Sequence, residues 1–206
     1  MFFPLLERIK SIAVKHRGKA YTPQGLTKLI RSQFKDPQLK FYTETDDRVA
    51  KYNILIAGEY APYDDENDEP CIHIHLTYSG KQNTTPINKI NWDVMGFYIA
   101  SVLTHEYIHQ YHIRKRDYQY GRSYKQNKVS CFEDSMQDYL GCEDELIAYG
   151  FNCAAEIVCF AKPYEKTDTY KLYKKNFKND SKVMEQLRKQ TVIYLKQLKD
   201  EHDRQN

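Results

Sequence analysis

Apolar side chains recur at three- and four-residue intervals through residues 1–17. Leu5, Leu6, Ile9 and Ala13 share one face there and predict an amphipathic helix. Thr22 followed by Pro23 supplies an N-cap and a first-turn residue whose φ is already set. Leu26, Leu29, Ile30 and Phe34 mark a second helix, which ends near the Asp36-Pro37 turn. Past that turn the period drops to two. "LKFYTET" alternates, "KYNILIAGEY" is rich in strand formers, and "CIHIHLTYS" alternates strictly. Three strands in succession predict a small sheet containing an antiparallel hairpin. The acidic, proline-containing stretch "APYDDENDEP" reads as a solvated loop before the third strand.

Helical spacing then returns. Asn91 is placed to cap a helix, with Asp93 in the favoured first turn. That helix runs from Trp92 to about Arg114 and carries Val94, Met95, Tyr98 and Val102. Residues 116–135 are polar, contain Gly121, and read as a long loop. Helical character resumes near Met136, continues through "YLGCEDELIAYGFNCAAEIVCFA", and is stopped by Pro163. Residues 181–200 form an amphipathic helix on Met184, Leu187, Thr191, Leu195 and Leu198. The pattern is that of an α+β domain over residues 1–162, with a basic helical extension over residues 163–206.

Composition narrows the function classes. The 206 residues are enough for one domain with a real core, and 41% hydrophobic with 29% charged residues is ordinary for a globular chain. A net charge of +3 is too small to make nucleic acid the main partner. The Lys-rich "YKLYKKNFKNDSKV" reads as a solvated helix face. Glu7, Arg8 and Lys10 interrupt the first segment too early for a secretory leader. No stretch approaches the roughly 18 apolar residues of a membrane span, so no membrane partner is expected. Five cysteines, an odd number with no C-x-x-C pair, fit thiols in a reducing cytoplasm.

The chemistry is concentrated in "LTHEYIHQYH", residues 103–112. Positions four apart on a helix share a face, so His105 and His109 can aim both imidazoles at one ion. Glu106 follows about 100° round the helix, beside the ion but not replacing a ligand. This is the sense of H-E-x-x-H: two ligands and a general base on one rigid element. Zinc in a catalytic site takes a third protein ligand and leaves a fourth position for water. His112, only three residues beyond His109, is poorly placed for that role. The following helix offers Glu143, Asp144 and Glu145. Glu145 is followed three residues later by the small Ala148 on the same face, which lets two helices approach.

"HEYIH" followed at a distance by "DELIAYG" resembles the HExxH…E pattern of gluzincin metallopeptidases. It is most similar to the minimal single-domain kind, which includes small phage-encoded metallopeptidases and the ImmA/IrrE-like group. The resemblance covers residues 1–162 and implies a zincin-like fold: a small three-stranded sheet, N-terminal helices, the HExxH helix and a glutamate helix. It implies one zinc ion held by His105, His109 and Glu145. Glu106 would be the base that activates water for hydrolysis of a peptide or protein substrate, in the host cytoplasm if the chain is phage-encoded. The family often carries E-x-E-A on the second helix. Here Ile147 holds the second acidic position, so only Glu145 matches and Glu143 remains an alternative ligand.

Further candidates have weaker claims, the first of them from the resemblance. In zincins an edge strand beside the metal pairs with the substrate backbone, and "CIHIHLTYS" matches it in order, which puts His73 and His75 at the substrate strand. Tyr149, one turn beyond Glu145, is a candidate to bond a metal ligand or the developing oxyanion. Cys142 is an alternative thiolate donor, though a buried structural thiol is the commoner role. The competing function is a non-catalytic regulatory or phage structural protein that keeps a metal on the same fold.

Overall fold

A computed structural model of the chain describes residues 2–62, 69–124 and 136–204. Parts of the two expected loops, 63–68 and 125–135 with Cys131, lie outside the described residues. Among the described residues the protein is α+β, with seven α-helices, a three-stranded sheet and a two-residue strand pair. No helix among them is long and apolar enough to cross a membrane. The chain forms two compact units, Met1–Glu106 and Tyr107–Asn206.

The first unit begins with α1 (Phe2–Lys15), which buries Phe2, Phe3, Leu5, Leu6, Ile9 and Ile12 on one face. β1 (Ala20–Tyr21) leads into α2 (Pro23–Arg31). The expected cap is present there: Thr22 Oγ1 accepts from Gly25 N at 3.1 Å. The sheet consists of β2 (Leu39–Asp46), β3 (Ile54–Ala61) and β4 (Cys71–Ser79) in the order β2-β4-β3. β3 and β4 make the expected antiparallel pair, whereas β2 runs parallel to β4. The short β5 (Thr85–Pro86) pairs with β1.

β4 sits between two partners and alternates as its sequence demands. Ile72, Ile74, Leu76 and Tyr78 are fully buried, while His73, His75 and Thr77 face the other way and are half-buried. Tyr78 keeps its hydroxyl satisfied by a 3.0 Å bond with Thr27 of α2. The long helix α3 (Trp92–Lys115) follows, with the Asn91 side chain accepting from Val94 N at 3.2 Å. Its first half buries Met95, Phe97, Ile99, Ala100 and Leu103. α1 packs against it where Gly96 meets Leu6 and Lys10.

In the second unit the helix expected from Met136 to Ala161 is divided into α4 (Met136–Gly141) and α5 (Glu143–Phe160). Cys142 stands between them with extended backbone as the N-cap of α5. The restart puts Glu143, Asp144 and Glu145 into a first helical turn, where the positive end of the helix dipole favours carboxylates. Ala161 closes α5 in a left-handed conformation, just before Pro163. α6 (Asp168–Asn176) falls in the Lys-rich stretch expected to be a solvated helix face but buries Thr169 and Tyr173, and α7 (Ser181–Asp203) matches the expected amphipathic helix. The residues after 162 are not an appendage. Tyr173, Phe177, Val183 and Leu187 share one core cluster with Leu140 and Leu146. α7 lies close along α5, near enough that a Cβ on Gly150 would overlap Gln190.

Candidate metal centre

Helix α3 changes character in its middle. Ser101, Thr104, His105, Glu106 and His109 are all buried, Glu106 at 5% exposure. Burying imidazoles and a carboxylate is costly unless they serve one another or an ion. α5 presents Glu145 from its first turn, equally buried at 6% exposure. His105, His109 and Glu145 come together, each offering one donor atom, with the three atoms within 4.8 Å of one another. His109 Nε2 lies 3.3 Å from Glu145 Oε1. Two imidazoles and a carboxylate, buried and convergent, are a donor set able to hold a metal ion.

The neighbouring acids are otherwise engaged, which separates Glu145 from Glu143. Glu143 Oε2 accepts from Arg122 N at 3.1 Å and from Arg122 Nε at 3.4 Å. Burial raises the Glu143 pKa, but those bonds and the charges of Arg122 and Arg116 outweigh it and hold the carboxyl below its ordinary value. Asp144 Oδ2 accepts from Gly121 N at 2.7 Å, and its Oδ1 accepts from Arg116 Nη2. The segment from Arg116 to Arg122 is thus tied to the first turn of α5 through the two acids that precede Glu145. Cys142 is turned elsewhere, its Sγ donating to the Tyr139 carbonyl at 2.9 Å. Among the described residues neither Cys142 nor His112 joins the group.

Glu106 faces the sheet of its own unit. A Cβ placed on Gly58 of β3 would come within 2.9 Å of both Cγ and Oε1 of Glu106. The Glu106 side chain therefore rests against β3, which pairs with β4 alone among the described residues. This corrects the expectation for His73 and His75. β4 is the central strand, its backbone taken on one side by β2 and on the other by β3, so it has no edge to offer a peptide. Both histidines lie on the sheet face opposite Ile74 and Gly58. His75 Nδ1 lies 2.7 Å from Glu44 Oε1, and Tyr42 stacks on the His75 ring at 5.0 Å. His73 Nε2 is 2.9 Å from Cys71 Sγ.

Tyr149 packs edge to face on the buried Tyr173 at 5.6 Å. Tyr173 donates to the Leu140 carbonyl at 2.9 Å, and burial together with the Glu145 charge pushes its pKa well up. Two residues without a role in the sequence pattern lie at the site, Arg116 and Gly58, and Asp144 serves as an anchor rather than a candidate ligand. Gly58 had a visible signal, a glycine inside a run of strand formers. Compared with known proteins, the chain matches no family model, no curated protein and no solved structure.

Proposed function

We propose that the protein is a zinc metallopeptidase of the minimal gluzincin type on a zincin-like fold, with His105, His109 and Glu145 as ligands and Glu106 as general base. One observation carries this reading: a carboxylate 36 residues beyond His109 in sequence, 145 − 109, is buried against the paired imidazoles of an H-E-x-x-H helix. A site that only bound metal would have no need of a second buried acid, Glu106, directly after the first ligand.

Two imidazoles and one carboxylate suit zinc among the common divalent ions. When bound, zinc supplies Lewis acidity and acidifies water at the site. Glu106 accepts the proton from the attacking water and returns it to the departing amine. β3, which among the described residues pairs with β4 alone, runs beside Glu106 and suits an extended peptide adding as a further strand, so the substrate class is a peptide or protein segment. The cytoplasm is the setting that goes with this reading, with zinc the single cofactor.

Glu106→Gln tests it. The variant keeps one zinc per chain and loses hydrolysis of a quenched-fluorescence peptide library. Unchanged cleavage removes the mechanism. A wild-type protein that binds zinc and cleaves nothing favours the non-catalytic regulatory or phage structural role.

A further inference from the structure

Gly58 occupies the interior of β3, opposite the fully buried Ile74 of β4. A glycine in a strand interior weakens the strand, and needs a reason. Backbone conformation is not the reason, because Gly18 is the glycine with positive φ among the described residues. Space is. A Cβ at position 58 would stand 2.5 Å from Val102 Cγ1 and 2.9 Å from both Cγ and Oε1 of Glu106. By strand alternation Ile56 and Tyr60 point to the same side as position 58. Gly58 is therefore a notch between two large side chains, and the Glu106 side chain lies in it.

We propose that Gly58 is the positioning residue of the catalytic base: its bare Cα lets the Glu106 carboxylate rest against β3. This rests on the peptidase reading of the same site. A methyl group at position 58 cannot share the space with the carboxylate, so the base must swing away from β3. The three atoms nearest to that methyl belong to Val102 and Glu106, and none to the ligand residues. Misplacing a base by about 1 Å costs on the order of 100-fold in turnover.

The experiment separates the base from plain packing. Gly58→Ala alone clashes with both Val102 and Glu106, so Gly58→Ala/Val102→Ala is made beside it. Val102→Ala removes the methyl that would be struck and leaves the Glu106 overlap in place. Zinc per chain, melting temperature, and kcat and KM on a library-selected peptide are measured for wild type, Val102→Ala and the double variant. The expected result is one zinc per chain and an unchanged KM in all three, with kcat down on the order of 100-fold in the double variant only. A double variant with wild-type kcat overturns the proposal, as does one that loses zinc. If the wild type cleaves no peptide, the peptidase reading fails by itself. The position of Gly58 is then read from crystal structures of the wild type and the double variant. A displaced Glu106 carboxylate supports the proposal and an unmoved one overturns it.

Discussion

His109 Nε2 and Glu145 Oε1 stand 3.3 Å apart, one from the HExxH helix and one from the first turn of α5. Two buried groups at that separation are close enough for one ion to be bound by both. Under the zinc reading, Glu145→Ala should drop the zinc content well below one per chain. A ligand that binds only the folded state stabilises it by about 2.7 kcal/mol at 100 times its Kd. Zinc should therefore raise the melting temperature of the wild type, chelator should reverse the rise, and Glu145→Ala should show neither effect. A full zinc complement in Glu145→Ala would move the third ligand to another residue.

Asp144 anchors the first turn of α5, the turn that carries Glu145. It is 3% exposed, and its two oxygens take the Arg116 guanidinium and the Gly121 amide. Asp144→Asn keeps the shape but removes the charge that holds Arg116. Loss of such a supporting group costs about 10–100-fold in metal affinity. The expected outcome is weaker zinc binding by calorimetry with the stoichiometry still at one. An unchanged Kd would show that Glu145 is oriented by the helix alone.

Much of the fold and the pair His105/His109 could be read from the chain because each rests on a local period. β4 alternates, α3 carries its two buried histidines four apart, and the Thr22-Pro23 pair starts α2 where it should. Non-local facts could not be read this way. Nothing in "CIHIHLTYS" says that it is central, since pairing order depends on which strands reach it, and β2 arrives in parallel register. The choice of Glu145 over Glu143 depends on Arg122, which lies 21 residues away in sequence. That α6 packs into the core rather than lying solvated could not be read, because "DTYKLYKKN" has few apolar residues and buries Thr169 and Tyr173. The break at Cys142 follows directly on Gly141, a poor helix former, while the residues after it favour a helix.

An acid-side titration should report the turn after β2. Asp46 accepts from Arg48 N at 2.8 Å and from Arg48 Nη2 at 2.6 Å. The Arg48 guanidinium, through its hydrogen bonds, lowers the Asp46 pKa from 3.8 to about 2. A carboxyl depressed in the folded state stabilises it above the unfolded pKa, and that contribution fades as pH falls from 3.8 toward about 2. Arg48→Ala should return the Asp46 titration, followed by carboxyl-carbon NMR, to the ordinary carboxylate range. Identical midpoints in the two proteins would show that the pair does not form in solution.

Glu156 is a buried carboxylate with a structural task, and separates stability from metal binding in the second unit. It is 6% exposed and sits at the start of α6, where it accepts from Asp168 N at 2.6 Å, Thr169 N at 3.0 Å and Thr169 Oγ1 at 2.8 Å. Lys162 Nζ adds a fourth contact at 3.3 Å. Its charge thus meets the N-terminal amides and the positive end of the α6 dipole, where carboxylates are favoured. Glu156→Ala leaves buried amides unsatisfied at about 1–3 kcal/mol each, partly relieved by water entering the gap. An overall loss of about 2–4 kcal/mol is expected, or a fall of several degrees in the melting temperature for a chain of this size. Glu156→Gln keeps an acceptor oxygen and should lose less. Both variants should bind zinc with wild-type stoichiometry, because Glu156 stands outside the His105, His109 and Glu145 group. A melting temperature unmoved in Glu156→Ala would show that α6 is held by Tyr173 and Phe177 alone.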